Sequence, residues 1–272
     1  MSERSRPDGL PDFRSPPLNE VVMGVQFNPI PGYHQIYAGD VWELFKDEFP
    51  NVEEHQALPP AFETFGPAGG QAINFGLVTG GQHDRFWFLS QDKDELIQFQ
   101  EDRLLHNWRK VLGNEKPYPR FEHISAKFEK ELIALSDFFE YLGGEKFPGV
   151  TFNQVELSYI NHIELEPWTD YSAWLKVCDF GSEAPDDLTM VWRRALRASD
   201  GAPYGRLIVD ARSAVHVKGK NIIVLNLTVR GSPDAASVDG VVKFLRAARE
   251  TICKEFATIT TDSAHRIWER VS

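Results

Sequence analysis

The chain has 272 residues, 42% of them hydrophobic, which is enough to bury a substantial core and excludes wholesale disorder. Its 29 basic residues face 40 acidic ones, and the net charge of −11 opposes non-specific coating of nucleic acid or anionic lipid. No apolar run approaches the roughly 20 residues of a membrane helix, and the polar start with Pro7 and Pro11 is unlike a signal peptide, so a cytosolic protein is expected.

Residues 1–17, rich in Pro, Arg, Asp and Ser with no apolar period, read as a flexible tail. Val21, Met23, Val25 and Phe27 then alternate, which predicts a strand ended by Asn28-Pro29 and Pro31-Gly32. Tyr37, Val41, Leu44 and Phe45 recur at helical spacing until Pro50 stops the pattern. A Pro- and Gly-rich connection through Gly66 to Gly70 leads to a predicted strand over 72–78. A hairpin follows, with Arg85 to Ser90 and Glu95 to Gln100 flanking the turn Gln91-Asp92-Lys93-Asp94. Phe121, Ile124, Phe128, Leu132, Leu135, Phe138 and Leu142 mark a long helix that Gly143-Gly144 closes.

The second half opens on a long strand over 151–166, with Val155, Leu157, Tyr159, Ile163 and Leu165 on one face and polar residues on the other. A short amphipathic helix over 171–177, an acidic loop and a helix over 188–196 are expected next. Strands over 205–209 and 221–229 follow, with Gly219 in the turn between them. Val238, Val241, Val242, Leu245, Ile252 and Phe256 predict another long helix, and Ala264, Ile267 and Trp268 a shorter one capped by Thr261 or Asp262. Cys253 lies on the apolar stripe of the first and reads as a buried structural thiol; with Cys178 alone beside it, neither a disulfide framework nor a zinc site is expected.

These elements describe an α+β protein, its mostly antiparallel sheet or sheets covered by long helices. The expected organisation is a tail (1–17), an N-terminal αβ lobe (18–149) and a C-terminal αβ lobe (150–272) joined in one unit. Helix-grip and TATA-box-binding-protein-like sheets are compatible with this element order.

Pro16-Pro17-Leu18-Asn19-Glu20-Val21-Val22, Trp42 with Phe49-Pro50, Arg85-Phe86-Trp87-Phe88-Leu89-Ser90, Leu96-Ile97-Gln98-Phe99-Gln100, Asn107-Trp108-Arg109 and Tyr118-Pro119-Arg120-Phe121-Glu122 occur in succession. In these motifs the chain resembles a sporadically distributed, uncharacterised prokaryotic protein family. The resemblance implies a link with mobile or defence-type gene sets and carries no activity, cofactor or catalytic residue with it.

No Gly-x-Gly-x-x-Gly, Walker-type loop, His-Glu-x-x-His or Gly-x-Ser-x-Gly is present. His34, His55 and His83 stand singly, without carboxylates or thiols at ligand spacing, so neither a metal nor a cofactor is expected. Strand alternation puts Glu156, Ser158, His162 and Glu164 on one face; Asp210, Arg212, Asn226, Thr228, Arg230, Gln26, Gln98 and Gln100 join them if their strands are neighbours. A carboxylate beside an imidazole suits acid–base work, which makes Glu156, His162, Glu164, Asp210 and Arg212 the catalytic candidates, against a solvated face of cross-strand ion pairs. Arg103, Trp108, Arg109 and Arg120 offer a binding cluster in which guanidinium and indole planes hold a nucleotide or single strand. The competing reading packs Trp108 in the core and pairs the arginines with the protein's own carboxylates. Arg193, Arg194 and Arg197 read as a basic spot on a solvated helix face.

The expected function is that of a binding or regulatory protein acting through a protein partner, of the immunity, antitoxin or defence-accessory kind; a homodimer is open. The alternative is an enzyme or ligand-binding domain that uses the polar sheet face on a nucleotide or RNA.

Overall fold

The computed structural model describes residues 9–63, 65, 84–165, 170–181, 185–216 and 219–272. Among the described residues nine strands form one sheet: β1 (Leu18–Phe27), β2 (Asn51–His55), β3 (Arg85–Leu89), β4 (Glu95–Gln100), β5 (Arg103–Arg109), β6 (Phe152–Glu164), β7 (Thr189–Arg197), β8 (Pro203–Val215) and β9 (Asn221–Gly231). Their order is β2-β3-β4-β5-β1-β6-β9-β8-β7, and every neighbouring pair is antiparallel. The helices are α1 (Ala38–Glu43), α2 (Phe121–Gly143), α3 (Val238–Ile259) and α4 (Asp262–Ile267). None is long and apolar enough to cross a membrane.

One topological order occurs twice. An opening strand (β1, β6) is followed by a meander whose last strand (β5, β9) returns beside it, and then by a helix (α2, α3). The two opening strands pair with each other at the centre of the sheet, Met23 opposite Leu157 and Gly24 opposite Glu156.

Alternation gives the sheet a sealed face and an open face. Val21, Met23, Val25 and Phe27 point to the sealed face with Leu104, His106 and Trp108 of β5 and Val155 and Leu157 of β6, and all are buried. The long helices cover this face: α3 contacts β6 and β9, and α2 contacts β5 and α3. On α2 the buried stripe is Ile124, Phe128, Leu132, Leu135 and Phe139, whose spacing of three to four residues makes one apolar side. Gly144, at φ +68°, ends that helix by donating its amide to the Glu140 carbonyl. Ser237 caps α3 by accepting from the Gly240 amide, and Thr261 caps α4 by accepting from Ala264.

Several expectations are corrected. Residues 188–196 do not form a helix: Thr189–Arg197 is edge strand β7, paired to β8. Val191, Trp192, Ala195 and Leu196 satisfy either period, and the pairing with β8 decides between them; Arg193, Arg194 and Arg197 therefore lie on a strand. Asn51–His55 and Arg103–Arg109 are strands that the sequence reading did not assign. The helix expected over 37–49 is reduced to a 3₁₀ turn (Gln35–Tyr37) and the short α1, and that over 171–177 to the 3₁₀ turn Tyr171–Ala173. The strand expected over 72–78 and the glycines at 66–70 lie outside the described residues, as does His83.

The expected tail is not loose from Leu10 onward. Leu10 and Phe13 are buried, and the Phe13 ring meets those of Phe256 and Trp268 at 5.5 and 6.2 Å. Asp12 and Arg14 pair through their backbones with Val271, Ser272 and Glu269, so this segment runs as a ribbon against the end of the chain.

Candidate functional site

The open face carries the unusual chemistry. Arg85, Arg103, Arg109, Arg206, Arg212 and Arg230 rise from it, and among the described residues no strand contains a lysine. A guanidinium offers a planar fork of donors, whereas lysine offers a point charge, so this composition favours planar, directional partners such as carboxylates and peptide carbonyls.

One row of side chains crosses four strands. Arg85 Nη1 donates to Gln98 Oε1 (3.0 Å), Gln98 Nε2 to Asn107 Oδ1 (2.9 Å), and Asn107 Nδ2 to Glu20 Oε1 (2.6 Å). Burial pushes the Glu20 carboxyl up from its usual range, partly opposed by the Asn107 hydrogen bond and the Arg109 charge. Burial and the Arg103 charge lower the Arg85 guanidinium. At the β3 end Trp87 has the His55 ring stacked on it at 4.0 Å, with the guanidinium carbons of Arg85 and Arg109 at 5.7 and 5.6 Å. Arg85 Nε and Trp87 Nε1 are buried donors that find no acceptor.

Segment 58–63 lies across the centre of this face and is gripped by side chains from successive strands. Gln100 of β4 accepts from the Leu58 amide at 2.8 Å and donates to the Leu58 carbonyl at 3.0 Å. Arg103 of β5 donates to the Pro59 carbonyl at 3.1 Å. Gln26 of β1 accepts from the Ala61 amide at 3.0 Å and donates to the Ala61 carbonyl at 2.7 Å. Glu63 pairs with Arg206 of β8 at 2.6 Å and with Arg230 of β9 at 3.5 Å. Beside the segment a cleft opens over Gly24, Leu105, Gln154 and Glu156. Gln154 is only 4% exposed, and its Nε2 has no acceptor.

The catalytic candidates do share this face, but they do not form one cluster. Glu156 pairs with Arg230, Glu164 with Lys220, and Asp210 with Arg212 on its own strand. Among the described residues His162 Nδ1 has no partner; its ring lies 5.9 Å from that of His216, and burial together with the His216 and Lys110 charges lowers its pKa. Glu156 and His162 are six residues apart on one strand, about 20 Å at 3.3 Å per residue, so no carboxylate–imidazole pair forms between them.

The binding cluster is divided as well. Trp108 points to the sealed face, 1% exposed, with its ring 5.2 Å from Tyr118. Arg103 and Arg109 point the other way; Arg103 is held by Asp102 and Pro59, and Arg109 Nε donates to the Lys93 carbonyl at 3.1 Å. Arg120 sits at the start of α2 and pairs with Asp12 at 3.1 Å. Sequence reading found Gln26, Gln98, Gln100 and Arg230 for this face but missed Glu20, Arg85, Trp87, Asn107, Arg206 and Glu63. Alternation on β3, β5 and β8 carries the signal for most of them; Glu63 has none, because it lies in an irregular segment.

A second, small cavity lies between the N-terminal ribbon and the helices, lined by Phe13, Tyr118, Tyr159, Arg249 and Cys253. Its tyrosine hydroxyls meet at 3.2 Å, and burial raises the pKa of both. Cys253 is only part-buried; the fully buried thiol is Cys178, which burial pushes up to about 11. Among the described residues no group of histidine, cysteine and acidic side chains has the arrangement of a metal site. Comparison with protein-family models and with curated proteins finds no match to this chain.

Proposed function

We propose that this chain is a cytosolic binding or regulatory protein that acts through a protein partner, and that the partner docks on the open face of the sheet. The observation that carries this reading is the grip on segment 58–63: Gln26, Gln100 and Arg103 hold a peptide backbone by its own amides and carbonyls, and Arg206 and Arg230 hold a carboxylate. Side chains arranged to satisfy a peptide backbone suit a protein ligand. The absence of catalytic motifs in the sequence, the ion pairs that occupy Glu156, Glu164 and Asp210, and the distance of Glu156 from His162 support binding over chemistry. An immunity, antitoxin or defence-accessory role is the form of this activity that the family resemblance suggests. The doubled strand, meander and helix order supports an αβ pair of lobes related to the TATA-box-binding-protein-like sheets.

The test is calorimetric titration of purified neighbouring gene products against the wild-type protein and against Arg109→Glu with Arg212→Glu, two changes at the accessible parts of this face. Binding that weakens about tenfold or more in the variant, with an unchanged melting temperature, supports the reading. Equal affinity for both proteins, or substrate turnover without partner binding, overturns it.

A second reading has its own observation. Trp87, with two guanidinium groups beside it and an indole donor that no acceptor among the described residues satisfies, is suited to a nucleobase or a single RNA strand. Nucleotide or RNA binding that disappears in Trp87→Ala while the melting temperature holds would favour it over the protein-partner reading.

A further inference from the structure

The spacing of the grip on segment 58–63 matches one backbone conformation. Gln100 stands on β4 and Gln26 on β1, with β5 between them, so the two amides are two strand spacings apart, about 9.6 Å. They hold Leu58 and Ala61, three residues apart. A polyproline II chain rises about 3.1 Å per residue with three residues per turn, so three residues span about 9.3 Å and bring the peptide group back to the same side. Pro59 and Pro60 lie between the two gripped residues; they fix φ near −65° and hold the residues before them extended. Arg103, on the intervening strand, takes the carbonyl of Pro59, and Glu63 continues to the guanidinium pair on β9 and β8.

Resting on the proposed role of this face in partner binding, we propose that it is a receptor for proline-rich segments in polyproline II conformation that carry a carboxylate three residues beyond the second proline. Segment 58–63 is its built-in occupant, and a partner segment of the same chemistry displaces it. Gln100 and Gln26 read peptide units one turn apart, Arg103 reads the carbonyl between them, and Arg206 with Arg230 reads the acid. The buried, unpartnered Nε2 of Gln154, in the cleft beside the segment, is a further donor for an incoming carbonyl. A tethered occupant competes at an effective concentration in the millimolar range, so only a stronger or locally concentrated partner opens the face.

A fluorescein-labelled synthetic peptide with the sequence of residues 56–65 is titrated by anisotropy into the full chain. Glu63→Ala, which releases the resident carboxylate, is expected to bind the peptide about tenfold or more tighter than wild type, because the tethered competitor is weakened. Adding Gln100→Ala or Gln26→Ala to Glu63→Ala, or replacing both peptide prolines by glycine, is expected to remove that gain. Hydrogen exchange on the unmutated protein is the second measurement: saturating peptide should deprotect the Leu58 and Ala61 amides. Equal affinity in wild type and Glu63→Ala, no binding to either, or peptide binding with unchanged protection of Leu58 and Ala61 overturns the proposal. If the peptide fails while Arg109→Glu with Arg212→Glu still abolishes binding of a protein partner, the docking role of the face stands and the built-in occupant falls; if both fail, both fall.

Discussion

The imidazole of His106 and the carboxylate of Glu131 form a pair inside the protein, Nδ1 lying 2.8 and 3.0 Å from the two carboxylate oxygens. His106 is fully buried on β5 and Glu131 is 6% exposed on α2, so this polar bond joins the sheet to its helix cover. Removing one member leaves the other buried without its partner, and Glu131→Leu is expected to cost about 3–5 kcal/mol in urea melts. The double variant His106→Leu with Glu131→Leu should recover most of that loss, because two apolar groups leave nothing unsatisfied. A single-variant cost under about 1 kcal/mol would show that the pair contributes little.

Phe99 is completely buried on the sealed face, its ring 6.0 Å from Tyr33 and 6.5 Å from Phe88. Phe99→Ala should cost about 3–5 kcal/mol in denaturant melts, the lost transfer energy plus the cavity left behind.

Arg103 and Arg109 occupy the same strand face and should respond differently to lysine. Arg103 is 6% exposed and makes three guanidinium hydrogen bonds, to both Asp102 oxygens and to Pro59, which an ammonium cannot reproduce in one plane. Arg103→Lys is expected to lower stability by about 1–3 kcal/mol. Arg109 makes one exposed bond to the Lys93 carbonyl, so Arg109→Lys should stay within about 0.5 kcal/mol of wild type while weakening partner binding. Thermal melts paired with partner titration separate the two residues.

Acid should destabilise the fold through two histidines. Burial, with His216 and Lys110, lowers His162; burial, with Arg270 and Lys176 outweighing Asp262, lowers His265. A histidine whose folded pKa is depressed binds a proton more readily when unfolded. Its contribution is therefore complete above the unfolded value of about 6.5 and is lost as pH falls through the folded value. The melting temperature should drop between pH 7.5 and pH 5, and the drop should be shallower in His265→Gln and His162→Gln; parallel curves for variants and wild type would sink the assignment.

Gly205 and Gly231 face each other between β8 and β9. A β-carbon on Gly231 would lie 2.3 Å from the Tyr204 carbonyl oxygen and 2.5 Å from Gly205 Cα, both backbone atoms that cannot swing away. Gly231→Ala should therefore cost about 1–3 kcal/mol by chemical denaturation, whereas a β-carbon added at Gly39, on α1, meets nothing within 4 Å and should not clash.

What the sequence determined by itself is whatever depends on near neighbours in the chain. Val21, Met23, Val25 and Phe27 alternate because successive strand residues face opposite ways, and the stripe from Ile124 to Phe139 repeats because a helix turns every 3.6 residues. The same local rule puts Glu156 and His162 on one side of β6 and Asp210 and Arg212 on one side of β8; that the two sides belong to one face follows from β9, which pairs with both strands.

Tertiary structure decided what depends on partners distant in the chain. Residues 189–197 fit helix or strand until the edge of β8 offers a ladder of backbone hydrogen bonds, and Asn51–His55 becomes a strand only because β3, some thirty residues later, lies beside it. Trp108 and Arg109 are consecutive, yet the two-residue period of a strand sends the indole to the core and the guanidinium to the open face; that division follows once β5 is known to be a strand. Glu63 meets Arg206 across 143 residues, through an irregular segment that has no side-chain period, and no local pattern encodes such a contact. The built site on the open face is a product of sheet order, which sets the spacing of Gln100, Gln26 and the arginine pair along a line perpendicular to the strands.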